Sequence, residues 1–248
     1  MVEPRTESGE PAGGGAAKAF AWVVHAITAS SAVFALLALG AIQAGDLRLA
    51  LLWLLAALAV DGIDGTLARR ADVKRNAANI DGETLDLVVD YLTYVFVPTV
   101  FLISADLLPE RLAWPLAGLI QLCALYSFVR RDLKSEDNYF RGFPGLWNIV
   151  VFYLYVAEVG PWTAAGIVVA LGAASFAPVY FVHPFRVRDY GVWLPLLSVV
   201  WAAATAAMLW PGWGEGARSA WFAVSAATAL LLLALGLWRT FRGPRRET

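Results

Sequence analysis

The chain has 248 residues, of which 59% are hydrophobic, 13% aromatic and only 16% charged, and its mean hydropathy is +0.62. No soluble domain of this size needs so much apolar surface, and the composition is that of a polytopic membrane protein. A net charge of −1 gives a nucleic-acid partner no electrostatic support, and a lone cysteine, Cys123, excludes an intrachain disulfide or a CxxC metal or redox motif.

In chain order, the residues up to Gly15 are rich in Gly, Pro and Glu, are expected to be disordered, and lack the apolar core and cleavage site of a signal peptide. The division expected is a flexible N-terminal segment (1–18), one transmembrane domain (19–242) and a basic tail (243–248). Eight apolar segments follow one another near 20–43, 48–68, 83–107, 111–132, 143–159, 161–182, 190–210 and 217–239. Each is long enough to cross a hydrocarbon core of about 30 Å. The fold class expected is therefore an all-α integral membrane protein with about eight transmembrane helices. Pro98, Pro144 and Pro178 mark candidate kinks, which membrane helices tolerate when neighbours satisfy the freed carbonyls. With both termini on the cytoplasmic side, Arg48, Arg111 and Arg218 alone of the 19 Lys and Arg residues fall outside, as the positive-inside rule requires.

The chemistry concentrates between Asp61 and Asp90, in DGIDGTLARRADVKRNAANIDGETLDLVVD. Asp61 and Asp64 stand at i, i+3; Gly82, Asp86 and Asp90 stand at i, i+4, i+8, so each set forms one helical stripe. An intramembrane Asp costs about 2.5–3.5 kcal/mol, so four unpaired ones amount to roughly 10–14 kcal/mol, an expense that bound cations would offset. An all-oxygen donor set without nearby His or Cys suits hard cations, Mg²⁺, Mn²⁺ or Ca²⁺, and not zinc. Glycines beside the acids let a bulky ligand approach the backbone, and Arg69 can fork onto a phosphate. An isolated acidic pair at a helix end is usually a solvated face, but four acids abutting apolar spans are not. A cation transporter would hold its acids nearer the midplane and in repeated halves, and neither feature is present. Carboxylates, glycine and arginine together describe metal-assisted phosphate-ester chemistry.

Asp61-x-x-Asp64-Gly65-x-x-Ala68-Arg69, a twelve-residue gap, then Gly82-x-x-x-Asp86-x-x-x-Asp90 resembles the CDP-alcohol phosphotransferase signature at every fixed position. The segments AWVVHAITASSAV, LDLVVDYLTYVFVP, DNYFRGFPGLWNIVVFYL and FVHPFRVR, spread over roughly residues 20–190, are in turn similar to bacterial phosphatidylcholine synthases. The resemblance implies an inner-membrane enzyme that transfers the phosphatidyl group from CDP-diacylglycerol to choline and releases CMP, with its active site on the cytoplasmic side. It implies two divalent cations, Mg²⁺ or Mn²⁺, held by Asp61, Asp64, Asp86 and Asp90, with Asp86 bridging and Asp90 serving also as general base. Gly65, Ala68, Arg69 and Gly82, with Thr28 from the first helix, would bind the CDP moiety. Relatives commonly form homodimers.

A quaternary ammonium offers no N–H donors, so its recognition relies on aromatic faces and nearby negative charge. Tyr94, Glu136, Asp137, Asn138, Tyr139 and Trp147 are the expected choline-binding residues. His25 is expected to make a structural hydrogen bond. His183, Arg186 and Arg188, and the Arg239–Arg246 group, are expected to anchor helix ends to anionic headgroups. Two alternatives remain open at this point. A phosphatidylserine or related synthase would need a carboxylate-binding cation, for which Lys134 and Arg141 are available, and a membrane carrier would bind a cation or lipid without chemistry.

Overall fold

A computed structural model of the chain describes residues 14–244. The expected tail residues beyond these bounds, Arg245 and Arg246 among them, lie outside the described residues. The first helix, α1 (Gly15–Gln43), turns at Gly45, whose φ of +76° is readily accessible only to glycine, into α2 (Leu47–Ala71). Asp46 caps α2 by accepting the Leu49 N–H at 2.9 Å. The two helices pack along a seam set by residues three and four apart. Ala21, Val24, His25, Thr28, Ser31, Ala35, Ala38 and Ala41 are buried on α1, and Ala50, Leu51, Leu54, Ala57 and Asp64 on α2. Small side chains let membrane helices approach closely, and α1 and α2 share the most extensive contact among the described helices. The seam is apolar at one end and carries His25, Thr28 and Ser31 at the other.

After α2, Asp72 adopts left-handed backbone and a short helix, α3 (Val73–Asn76), turns the chain back. Asp81 then caps α4 (Gly82–Asp90), accepting the N–H groups of Glu83 and Thr84 at 3.1 Å each. From α4 the chain runs through a π-helical turn (Tyr91–Phe96) into α5 (Val97–Ser104), a continuous rod of 23 residues. Pro98 has no N–H to give the Tyr94 carbonyl and its ring would collide with that carbonyl. The kink expected at Pro98 therefore takes the form of a widened turn on its N-terminal side, beginning immediately after Asp90.

The remaining helices are α6 (Glu110–Val129), α7 (Trp147–Val156), α8 (Pro161–Ala174), α9 (Trp193–Met208) and α10 (Glu215–Arg242). The eight expected segments are thus all helical, with the third divided by the π turn. Those of α1, of the α4–α5 rod, of α6 and of α10 are long and apolar enough to cross a membrane, and three shorter apolar helices accompany them. The fold is an all-α multi-pass membrane protein. The sixth segment was expected to continue to 182, but its helix stops at Ala174. The chain there forms β2 (Tyr180–Phe181), paired antiparallel with β1 (Phe140–Arg141) from the loop between α6 and α7. Pro178 precedes this strand and kinks no helix.

The main core gathers Leu51, Leu54, Val95, Phe101, Leu102, Ile120, Trp147, Val151 and Val168, all at most 3% exposed. Large apolar groups also cover the outside: Trp114, Trp162 and Trp193 are 74%, 74% and 66% exposed. Such a surface is stable against lipid, and tryptophans near helix ends suit the membrane interface.

Candidate active site

The α1–α2 seam and the start of the α4 rod meet at the same end of the bundle, and the acidic stripes converge there. Carboxylate oxygens of Asp61, Asp86 and Asp90 all lie within 4.8 Å of one another. That spread is about twice a metal–oxygen distance of 2.1–2.6 Å, so one hard cation can touch all three. Asp64 is buried and lies in the electrostatic field of the other three acids. Thr28 donates to its Oδ2 at 2.8 Å. A hydrogen bond to a charged group is worth about 1.5–3 kcal/mol, enough to fix the carboxylate's orientation. Tyr94, 5% exposed on the π turn, donates its hydroxyl to Asp61 Oδ2. The same turn lets Tyr91 donate to Gln121 Oε1 at 2.5 Å, and Gln121 in turn reaches Thr99 at 2.8 Å. The rod carrying Asp86 and Asp90 is thereby tied to α6.

The small residues of the motif have defined neighbours. A Cβ on Gly82 would lie 2.8 Å from Cε1 of His25, so any larger residue here would have to displace the buried imidazole. His25 is buried and its Nε2 has no hydrogen-bond partner, so the structural bond expected of it is not made through that atom. Ala68 packs against the base of α1 with Ala21 and Val24. The Arg69 side chain folds back over Gly65, where Nη1 would sit 3.6 Å from an added Cβ, and donates to Thr66 at 3.0 Å. It is exposed and available to an anion.

The six expected choline residues are dispersed. Tyr94 joins the acidic cluster. Asp137 accepts Arg239 Nε at 2.6 Å, and the Tyr139 hydroxyl donates to Asp189 at 3.0 Å. Asn138 is a turn residue with φ +64°, and Glu136 is exposed. Trp147 is fully buried edge-on to Phe143, 5.0 Å between centroids.

Sequence reasoning named Lys134 as a carboxylate binder and Arg186 as a headgroup anchor, and connected neither with the acids. Lys134 and Arg186 both act electrostatically on Asp61 and Asp86. They stand on the two loops joined by the β1–β2 pair, and Lys134 lies over the Phe140 ring at 5.7 Å. Partial desolvation of the Lys134 ammonium, then repulsion from Arg186, lowers its pKa. His183 stacks flat on Phe140, 5.1 Å between centroids, and burial followed by the charge of Lys134 pushes it down to about 3. It is therefore neutral, with no cationic charge to offer a headgroup. Arg141, weighed as a carboxylate binder, pairs with Asp132 at 3.1 Å. The available signal was the positive charge on inside loops, which does not say which cations lie near enough to act on the acids.

No protein-family model matches the chain. Curated relatives do. A protein of Pseudomonas aeruginosa named phosphatidylcholine synthase is 42% identical over 230 residues, covering 91% of this chain and 94% of its own length. One of Bradyrhizobium diazoefficiens with the same name is 38% identical, over 91% of this chain and 81% of the relative. A third, of Mesorhizobium japonicum, is 37% identical over 75% and 69%.

Proposed function

Since the chain belongs to the phosphatidylcholine synthase family, we propose that it transfers the phosphatidyl group of CDP-diacylglycerol to choline with release of CMP. The observation that carries this reading is the convergence of Asp61, Asp86 and Asp90 at one end of a membrane bundle. The donor set is all oxygen and fits the divalent cations, Mg²⁺ or Mn²⁺, that these three residues and Asp64 would hold. Bound there, such ions supply neutralisation of the diphosphate charge and a better leaving group.

The rest is work for the chain's own side chains. Asp90 takes the proton of the choline hydroxyl. The choline oxygen forms a bond to the phosphorus that bears diacylglycerol, and the bond from that phosphorus to the CMP oxygen breaks. Thr28 and Tyr94 hold Asp64 and Asp61 in place, which fixes the cluster before substrate arrives. Arg69 grips a phosphate of the nucleotide, while Gly65, Ala68 and Gly82 let it approach α2 and α4. Lys134 and Arg186, whose charges act on the acids, meet the phosphate on the lipid side. Tyr94, bonded to the cluster, is the aromatic group that borders the trimethylammonium. Both termini and the site face the cytoplasm across the bacterial inner membrane, the orientation that the distribution of Lys and Arg favours. The protein works as a homodimer, on the strength of the resemblance alone.

The test is purified protein with CDP-diacylglycerol and separate acceptors: choline, serine, inositol and glycerol 3-phosphate. CMP release with choline alone is expected. Release with serine in place of choline would assign the acceptor to another synthase, and no release with any acceptor would leave a carrier.

A further inference from the structure

Most of α10 faces outward, yet its last turns are buried at Gly236 and Arg239. A Cβ on Gly236 would lie 2.5 Å from the Tyr180 carbonyl oxygen and 3.0 Å from Phe181 Cα, so β2 rests directly on the helix backbone. One turn on, Thr240 Oγ1 accepts the Tyr180 N–H at 2.8 Å. Between them Arg239, 8% exposed, donates from Nε to Asp137 Oδ2 at 2.6 Å. Its guanidinium carbon lies 4.5 Å from the Tyr180 ring centroid and 5.6 Å from that of Tyr139. Asp137 accepts the Ser135 hydroxyl at 2.6 Å, and Ser135 accepts the Tyr139 N–H at 3.1 Å. One arginine thus holds both loops that the β1–β2 pair joins, the same loops that carry Lys134 and Arg186. A buried guanidinium with a carboxylate on one side and ring faces on the other is fixed in position, unlike a headgroup anchor, which would be exposed.

We propose that Arg239 is a positioning residue: through Asp137, Tyr139 and Tyr180 it fixes the two-loop platform that carries Lys134 and Arg186, and so governs binding of the phosphate-bearing lipid donor. The proposal rests on the transferase reading. It assigns α10, far along the chain from the acidic motif, a part in donor affinity.

The experiment is steady-state kinetics of CMP release with donor and choline varied separately, on the wild-type chain, Arg239→Ala, Asp137→Asn, Lys134→Ala and the Arg239→Ala/Lys134→Ala double variant. Arg239→Ala and Asp137→Asn are each expected to raise KM for CDP-diacylglycerol about tenfold while kcat and the choline KM stay within about threefold. In the Lys134→Ala background, Arg239→Ala is expected to add less than about twofold, because the two residues act on one contact. If Arg239→Ala does not yield folded protein, Asp137→Asn carries the test, paired with Lys134→Ala in the same cycle. An unmoved donor KM, a shift in the choline KM instead, or fully additive effects with Lys134→Ala would overturn the proposal. Wild-type CMP release is the control: its absence defeats the transferase reading itself, and its presence with an unmoved donor KM defeats only this one.

Discussion

The acidic cluster and the C-terminal clamp both take charge partly or wholly out of water, but they are built in opposite ways. The cluster gathers carboxylates onto two neighbouring helical stripes, and among the described residues no cation is in hydrogen-bonding contact with them; Thr28 and Tyr94 satisfy one oxygen each. The clamp pairs its one buried cation with Asp137 at 2.6 Å and sandwiches it with tyrosines. Crowded, half-buried negative charge favours an external ion, whereas a buried pair that is already satisfied holds structure. Substitutions in the two regions should therefore read out differently.

The largest effect is expected in the cluster. Asp86→Asn or Asp90→Asn should lower kcat for CMP release by about a thousandfold or more with little loss of folded protein, and chelation of divalent ions from the wild-type protein should do the same reversibly. Retention of activity in either variant would mean the convergence is not catalytic. Next comes Gly82→Ala, whose new methyl meets the His25 ring at 2.8 Å. Overpacking of this kind costs about 1–3 kcal/mol, and it should displace Asp86 with it. Activity is expected to fall at least about tenfold and to recover in part when His25→Ala is added; a Gly82→Ala enzyme with full activity would show that α1 and α4 are not held at this spacing. Thr28→Val should weaken divalent-ion affinity by about tenfold, measured as the Mg²⁺ or Mn²⁺ concentration for half-maximal rate, because it frees the Asp64 carboxylate.

On the clamp side, stability should respond to pH. His183 is held near a pKa of about 3, against 6.5 when unfolded, so the folded protein stays neutral there while the unfolded chain takes up a proton below about pH 6.5. This group's contribution is fully present above that pH and is lost as pH falls. The thermal midpoint of the wild-type protein should drop more between pH 7.5 and 5 than that of His183→Asn, a difference small enough to need side-by-side melts. Equal slopes would remove His183 from the account.

What could be read from the sequence follows from how far apart the interacting residues lie. Asp61 with Asp64, and Gly82 with Asp86 and Asp90, are spaced by helical periods, so each stripe was legible from spacing, while the meeting of the two stripes depended on their helices being neighbours. The seam partner Thr28 was within reach as well, since it repeats on the face of α1 that also carries His25. The clamp was not legible. Arg239 meets Asp137 across 102 residues and Tyr139 meets Asp189 across 50, and no local pattern encodes either contact. Tyr139 and Asp137 therefore looked like free aromatic and acidic groups suited to choline, and the arginines of α10 looked like headgroup anchors. The two short strands escaped for the same reason: a pair of two-residue strands leaves no alternation to detect. The π turn was half legible, because Pro98 announced a disturbance without saying on which side it would fall.

The central claim is that the carboxylates of α2 and α4 form one cation site. Binding of Mn²⁺ to the purified protein, followed by electron paramagnetic resonance in detergent micelles without substrate, tests it without relying on turnover. Saturable binding by the wild-type chain, lost in the combined Asp61→Asn, Asp86→Asn and Asp90→Asn variant while the helical content is unchanged, is the predicted result. Equal binding by both proteins, or none by a wild-type chain that still releases CMP without added metal, would contradict it.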